Sequence, residues 1–201
     1  MMWRKLKYYM ALIKESRGRR GELYDDSYWG INELDRTAAT KAIMEWLDPK
    51  AGERILDVGC GTGRFMEAIE KKGAEAVGIE LFQFPLDKAR ARVKGLLYQM
   101  SAEKLLLPDG FFDKVLSVHV IEHLEHPEAC FSEMHRVLKP KGKLVLSFPN
   151  SDYLPFRLGV LKQSPTHLQR FTPALRVPGF DLRSCTVFRG GYNVVMLLER
   201  A

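Results

Sequence analysis

The chain has 201 residues, 46% of them apolar, and a formal net charge of +6. That length supports one domain with a full core, and no apolar run approaches the ~18 residues of a membrane-crossing helix. The N-terminus mixes charge into its apolar positions and lacks the h-region of a signal peptide. Cys60, Cys130 and Cys185 are isolated, which excludes a disulfide framework and fits a reducing, cytoplasmic setting.

The excess charge sits at the start. Residues 1–20 carry Arg4, Lys5, Lys7, Lys14, Arg17, Arg19 and Arg20 against Glu15 alone, and the rest of the chain is balanced. Trp3, Leu6, Met10 and Ile13 fall at helical spacing, which predicts a basic amphipathic helix. Such a helix can cap the domain's own surface, or meet RNA phosphates or an anionic membrane surface. Residues 21–34, with Tyr24, Tyr28 and Trp29, read as an irregular aromatic entry segment. Together, 1–34 are expected to form a cap or lid ahead of a domain over 35–201.

From Asp35, a suitable N-cap, a helix is expected to Leu47, ending at Asp48-Pro49. Arg54–Val58 reads as the first strand. The following glycine-rich bend opens a helix to about Lys72, which Gly73 ends. Ala76–Glu80 is the second strand, with a helix near Pro85–Val93 after it. Gly95–Met100 is a third strand. Phe112–Val118 is a fourth, apolar throughout as a strand covered on both faces should be. Pro127 suits the first turn of a helix to Leu138, closed by Pro140-Lys141-Gly142, and Lys143–Phe148 is the fifth strand. Residues 149–178 hold five prolines and form a long, partly helical excursion. Two strands, Asp181–Phe188 and Tyr192–Glu199, meet at Gly190-Gly191 as a hairpin. The layout predicts an α/β fold: a Rossmann-like, open, mostly parallel seven-stranded sheet with helices on both faces and an antiparallel C-terminal hairpin.

Chemistry concentrates where the first strand enters the bend Asp57-Val58-Gly59-Cys60-Gly61-Thr62-Gly63-Arg64. Glycines let the backbone turn sharply and let a ligand lie against it. The spacing is G-x-G-x-G, and Arg64 stands where a dinucleotide fingerprint would have its third glycine, which argues against a pyrophosphate. Glu80, ending the second strand, can accept both hydroxyls of a ribose. His119-Val120-Ile121-Glu122-His123 spells H-x-x-E-H, a pattern that holds metal only when both histidines share a helical face. Here it leaves a strand, where alternation would point neighbours apart, so no metal is expected.

The glycine loop with Glu80 resembles motif I and the ribose acid of class I S-adenosylmethionine (SAM) methyltransferases. Pro108-Asp109-Gly110-Phe111-Phe112-Asp113, Glu122-His123-Leu124 and Arg136-Val137-Leu138-Lys139-Pro140-Lys141-Gly142 are similar to the type 11 branch, and the match covers 52–150. His167-Leu168-Gln169-Arg170-Phe171-Thr172 with Gly179-Phe180 resembles the same branch's later segment. The chain departs from the pattern at Lys141, usually glycine, and at Ser101, usually an aspartate that reaches the adenine amine. It also departs at Pro173–Pro178, where a longer helix is usual.

The resemblance implies a SAM-dependent methyltransferase with S-adenosyl-L-methionine as cofactor. It places Asp57, Gly59, Cys60 and Gly61 at the methionine portion, Glu80 and Leu81 at the ribose, and Ser101, Ala102 and Glu103 at the adenine. Ser117 and His119 border the amino-acid end. If the acceptor must lose a proton, His167 is the first candidate base and His119 the second. The implied acceptor is an O or N atom of a small-molecule or lipid-like compound. RNA or protein, through the basic leader, is the alternative, and a SAM-binding protein without transferase activity the second.

Overall fold

A computed structural model describes residues 33–162 and 166–201. The basic leader and the aromatic segment up to residue 32 lie outside them. The first described element is helix α1, Glu33–Leu47. Strand β1 (Arg54–Val58), helix α2 (Arg64–Glu70), strand β2 (Glu75–Glu80), helix α3 (Gln83–Arg90) and strand β3 (Leu96–Gln99) follow. Then come strand β4 (Phe112–Val118), a single 3₁₀ turn at Ile121–His123, helix α4 (Pro127–Val137) and strand β5 (Leu138–Pro149). A short helix α5 (Leu154–Arg157) precedes strands β6 (Phe180–Phe188) and β7 (Asn193–Arg200).

The seven strands form one sheet in the order β3-β2-β1-β4-β5-β7-β6. Strands β1 to β5 are parallel, and β7 runs antiparallel to both β5 and β6. The order reverses between β1 and β4, and in open α/β sheets the crevice beyond the carboxyl ends at such a switch is where ligands bind. Alternation along the strands builds a core on each face. Leu56, Val58, Val115, Leu144 and Leu146 pack with Cys130, Met134 and Val137 of α4 on one side. Ile55, Leu116, Val145 and Val195 pack with Ile43 and Leu47 of α1 and Met66 and Ile69 of α2 on the other. Among the described residues, no helix is long and apolar enough to cross a membrane.

Two expectations need correcting. Helix α1 begins at Glu33, so Asp35 lies inside its first turn and is not the N-cap. Strand β5 starts at Leu138 rather than Lys143. Leu138 pairs with Phe112 and Lys143 with Lys114, so the register jumps across Pro140-Lys141-Gly142. Lys141 absorbs the jump at φ 63, a left-handed conformation that glycine adopts at lower cost. Of the excursion over 149–178, the helical part among the described residues is α5 alone.

Candidate active site

The bend after β1 is built from left-handed glycines, with φ 74 at Gly59, 53 at Gly61 and 79 at Gly63. Their surroundings differ. A Cβ at Gly59 would meet Val120 Cγ2 at 2.3 Å, whereas one at Gly61 would meet nothing within 4 Å. Gly59 is therefore fixed by packing against the loop after β4, and Gly61 borders open space where a ligand can rest on the backbone.

Two carboxylates stand near the bend, both close enough to act on Cys60. Asp57, at the end of β1, is 2% exposed, and its Oδ2 is buried without a hydrogen-bond partner. Burial, with the nearby Glu80 charge second, pushes its pKa up to about 7. A buried acceptor with nothing to accept is costly in the free protein and suits a cationic group of a ligand. Glu80 Oε2 accepts the N–H of Gly61 at 3.2 Å, and Oε1 accepts those of Leu81 at 2.8 Å and Phe82 at 3.1 Å. Burial raises its pKa, against the lowering effect of these three N–H groups. Both lone pairs of Oε1 are thus engaged, whereas Oε2 accepts one N–H and keeps a second lone pair, so Glu80 can still accept from a ligand hydroxyl.

The other expected contacts divide. Cys60 is buried beside the bend, and burial raises its thiol pKa, so it is a packing residue rather than a nucleophile. Ser117 is fully buried in β4 beside Val58, and its Oγ is unpartnered. Ser101 Oγ accepts the N–H of Glu103 at 3.2 Å, closing a local turn. Glu103 Oε1 accepts the N–H of His126 at 2.9 Å, at the N-cap of α4. That ties the Glu103 carboxylate to α4. Ala102 is buried and Leu81 is exposed.

His119 follows the last residue of β4 with φ 55, an uncommon conformation for a non-glycine residue. The strand therefore ends at Val118, and alternation no longer decides where these side chains point. His119 Nδ1 lies 3.1 Å from Oε1 of Glu122, and His123 Nε2 lies 4.0 Å from the same oxygen. The expectation that alternation points neighbouring residues apart is thus overturned: His119 and His123 both address Glu122, which is 1% exposed with Oε2 unpartnered. Burial opposes ionisation of Glu122, but the hydrogen bond to His119 and the charges of His119 and His123 hold its pKa below the usual range.

The segment from Thr166 is strapped onto this turn. Leu168 and Gln169 donate their N–H groups to the Glu122 carbonyl at 2.7 and 3.0 Å. His123 Nδ1 lies 3.1 Å from the Thr166 carbonyl oxygen. Gln169 Nε2 donates to the carbonyls of Leu124 and Glu125. The His167 ring meets His123 edge-on at 5.1 Å between centroids, and burial pushes its pKa down to about 4. His119, Glu122, His123 and His167 therefore form one cluster at the carboxyl edge of the sheet. Sequence spacing paired Glu122 with His123 but gave no signal for the approach of His167 across 44 residues.

Residues 56–146 match the family model described as a methyltransferase domain. The chain is 30% identical over 152 residues to the demethylmenaquinone methyltransferase of Tropheryma whipplei (strain Twist), covering 73% of this chain and 64% of that one. It is 32% identical over 128 residues to the ubiquinone biosynthesis O-methyltransferase of Pseudomonas aeruginosa (strain LESB58), covering 59% and 55%. The chain thus spans less than two thirds of these relatives. The structure of a SAM-dependent methyltransferase from Mesorhizobium loti superposes with a TM-score of 0.70 at 21% identity, covering 83% of this chain and all of that one.

Proposed function

We propose that this chain, which belongs to the class I SAM-dependent methyltransferases of the type 11 branch, moves a methyl group from SAM to an O or N atom of a small-molecule or lipid-like acceptor. One observation carries the reading: Asp57, with a buried carboxylate oxygen that has no partner, leads into the glycine bend, and the Glu80 carboxylate holds the open backbone at Gly61. Two acids around a left-handed glycine suit a ligand with an ammonium group at one end and a ribose in the middle, and do not suit a pyrophosphate.

SAM supplies a methyl group on an already charged sulfur. The task left to the protein is to align the acceptor and keep water out. In this reading Asp57 receives the amino group, with the end of β4 at Ser117 beside it. Glu80 and the backbone at Leu81 hold the ribose, and Ser101–Glu103 border the adenine. Ser101 meets the adenine amine as a neutral hydroxyl that already accepts the Glu103 N–H, a weaker partner than a carboxylate.

On the acceptor side, His119 is the better placed of the two expected bases. Its Nδ1 is held by Glu122, which fixes the ring as an acid–histidine pair does. His167 is neutral at physiological pH and only weakly basic because it is buried; we assign it to the cover over the acceptor. The two relatives are named for quinone substrates and pathways, which supports an apolar ring compound as acceptor.

The test is transfer of a radiolabelled methyl group from SAM into fractionated cell extract by the full chain. Label in the lipid and small-molecule fractions is the expected result. Label confined to RNA or protein would move the acceptor to another class. Binding of SAM without transfer into any fraction would leave a SAM-binding protein without transferase activity.

A further inference from the structure

The cluster at the edge of β4 gathers side chains of metal-ligating type. Glu122, His123 and His167 each bring a donor atom to a common point, all within 4.8 Å of one another. Bonds of about 2.0–2.2 Å to a tetrahedral ion put donors roughly 3.4 Å apart, so these side chains need to close by roughly 1 Å. We propose that Glu122, His123 and His167 bind a divalent transition-metal ion of the zinc type.

Three features of the surroundings prepare the donors. The Thr166 carbonyl can only accept, so in the neutral His123 ring the proton sits on Nδ1 and the lone pair on Nε2. A backbone carbonyl behind one ring nitrogen is the usual support of a metal-binding histidine. Glu122 is fully enclosed, and its Oε1, 3.1 Å from His119 Nδ1, also stands 4.0 Å from His123 Nε2, while Oε2 has no partner; a buried carboxylate so short of donors suits a cation beside it. The His167 ring is held edge-on against His123 at 5.1 Å between centroids, which keeps it beside the other two donors. Two imidazoles and one carboxylate favour zinc, cobalt or nickel over magnesium, which prefers oxygen donors. Three protein ligands leave a coordination position for water or an oxygen of a bound compound, as in catalytic rather than structural sites. The ion would also join the strap at 166–169 to the turn at 121–123, reinforcing the backbone hydrogen bonds already there.

This inference goes beyond methyl transfer and is read with neither SAM nor acceptor present. The full chain, stripped with a chelator, is titrated with Co²⁺ by visible absorption and with Zn²⁺ by competition. One equivalent of Co²⁺ with the intense bands of a tetrahedral site is expected, displaced by Zn²⁺ and not by millimolar Mg²⁺. His167→Ala is expected to weaken binding by about 100-fold or more. His123→Asn is expected to do the same while its amide still donates to the Thr166 carbonyl, so the strap and fold survive. His126→Ala, on an exposed histidine outside the cluster, is expected to leave affinity unchanged. Absence of stoichiometric binding by the folded wild-type chain would overturn the proposal, as would binding that survives both cluster variants or Mg²⁺ binding as tight as Co²⁺.

Discussion

Glu80 Oε2 accepts the backbone N–H of Gly61 at 3.2 Å, so the acid ending β2 is bonded to the glycine bend that follows β1. The carboxylate shapes the bend, and in the proposed reading it also faces the ligand. Its other oxygen holds the first two N–H groups beyond β2, which fixes the chain where a ribose would lie.

Glu80→Ala is therefore expected to lower SAM affinity by roughly 10- to 150-fold, the worth of a hydrogen bond to a charged group. It is also expected to lower thermal stability, because three N–H groups lose their acceptor. Calorimetry with SAM and a melting curve on the same sample check both. Unchanged affinity would remove Glu80 from the site.

Asp57 gives a pH signature. Its pKa stands near 7 in the fold against an ordinary 3.8, so between about pH 4 and 7 the folded state holds a proton that the unfolded chain has released. Asp57 therefore takes stability away as pH rises through this window. Asp57→Asn is expected to gain stability relative to wild type at pH 8 and to lose that advantage at low pH. Binding of a cationic ligand favours the ionised form, so SAM binding at pH 7 is expected to release a fraction of a proton. Calorimetry in two buffers of different ionisation heat detects it, and the Asn variant should show none.

Gly59 and Gly61 separate folding from binding. Gly59→Ala places a methyl 2.3 Å from Val120 Cγ2 at a left-handed φ, and is expected to destabilise the fold by at least about 2 kcal/mol. Gly61→Ala meets no protein atom within 4 Å. Only the backbone cost of about 1 kcal/mol is expected there, together with a roughly tenfold or greater loss of SAM affinity. Denaturant melts and calorimetry on both variants read the contrast.

Lys141 is a correctable strain. With φ 63 at an exposed bend, Lys141→Gly is expected to raise stability by about 1 kcal/mol without altering SAM affinity. A neutral or destabilising result in chemical denaturation would mean that the Lys141 side chain contributes more than its backbone costs.

Much of this molecule was legible locally. The glycine bend, Glu80 and the strand limits of β1 and β4 follow from short-range spacing. What escaped depends on distant partners. Lys114 is buried in β4 because its Nζ donates to the Asp48 carbonyl and to Glu53, more than 60 residues away, and no strand pattern announces that. Gly78 sits inside β2, where a Cβ would meet Met66 Sδ at 2.4 Å and Cys60 Sγ at 2.8 Å, so its smallness serves α2 and the bend. The early start of β5 required Phe112 as a partner for Leu138. The cluster around Glu122 stayed hidden because a strand was assumed to continue past Val118, whereas His119 turns left-handed and rotates the motif out of alternation.

Equilibrium binding of SAM, S-adenosylhomocysteine and NAD to the full-length chain addresses the reading most directly. One equivalent of SAM should bind, S-adenosylhomocysteine should compete for the same site, and NAD should not bind measurably. NAD binding tighter than SAM, or no SAM binding by the folded chain, would contradict it.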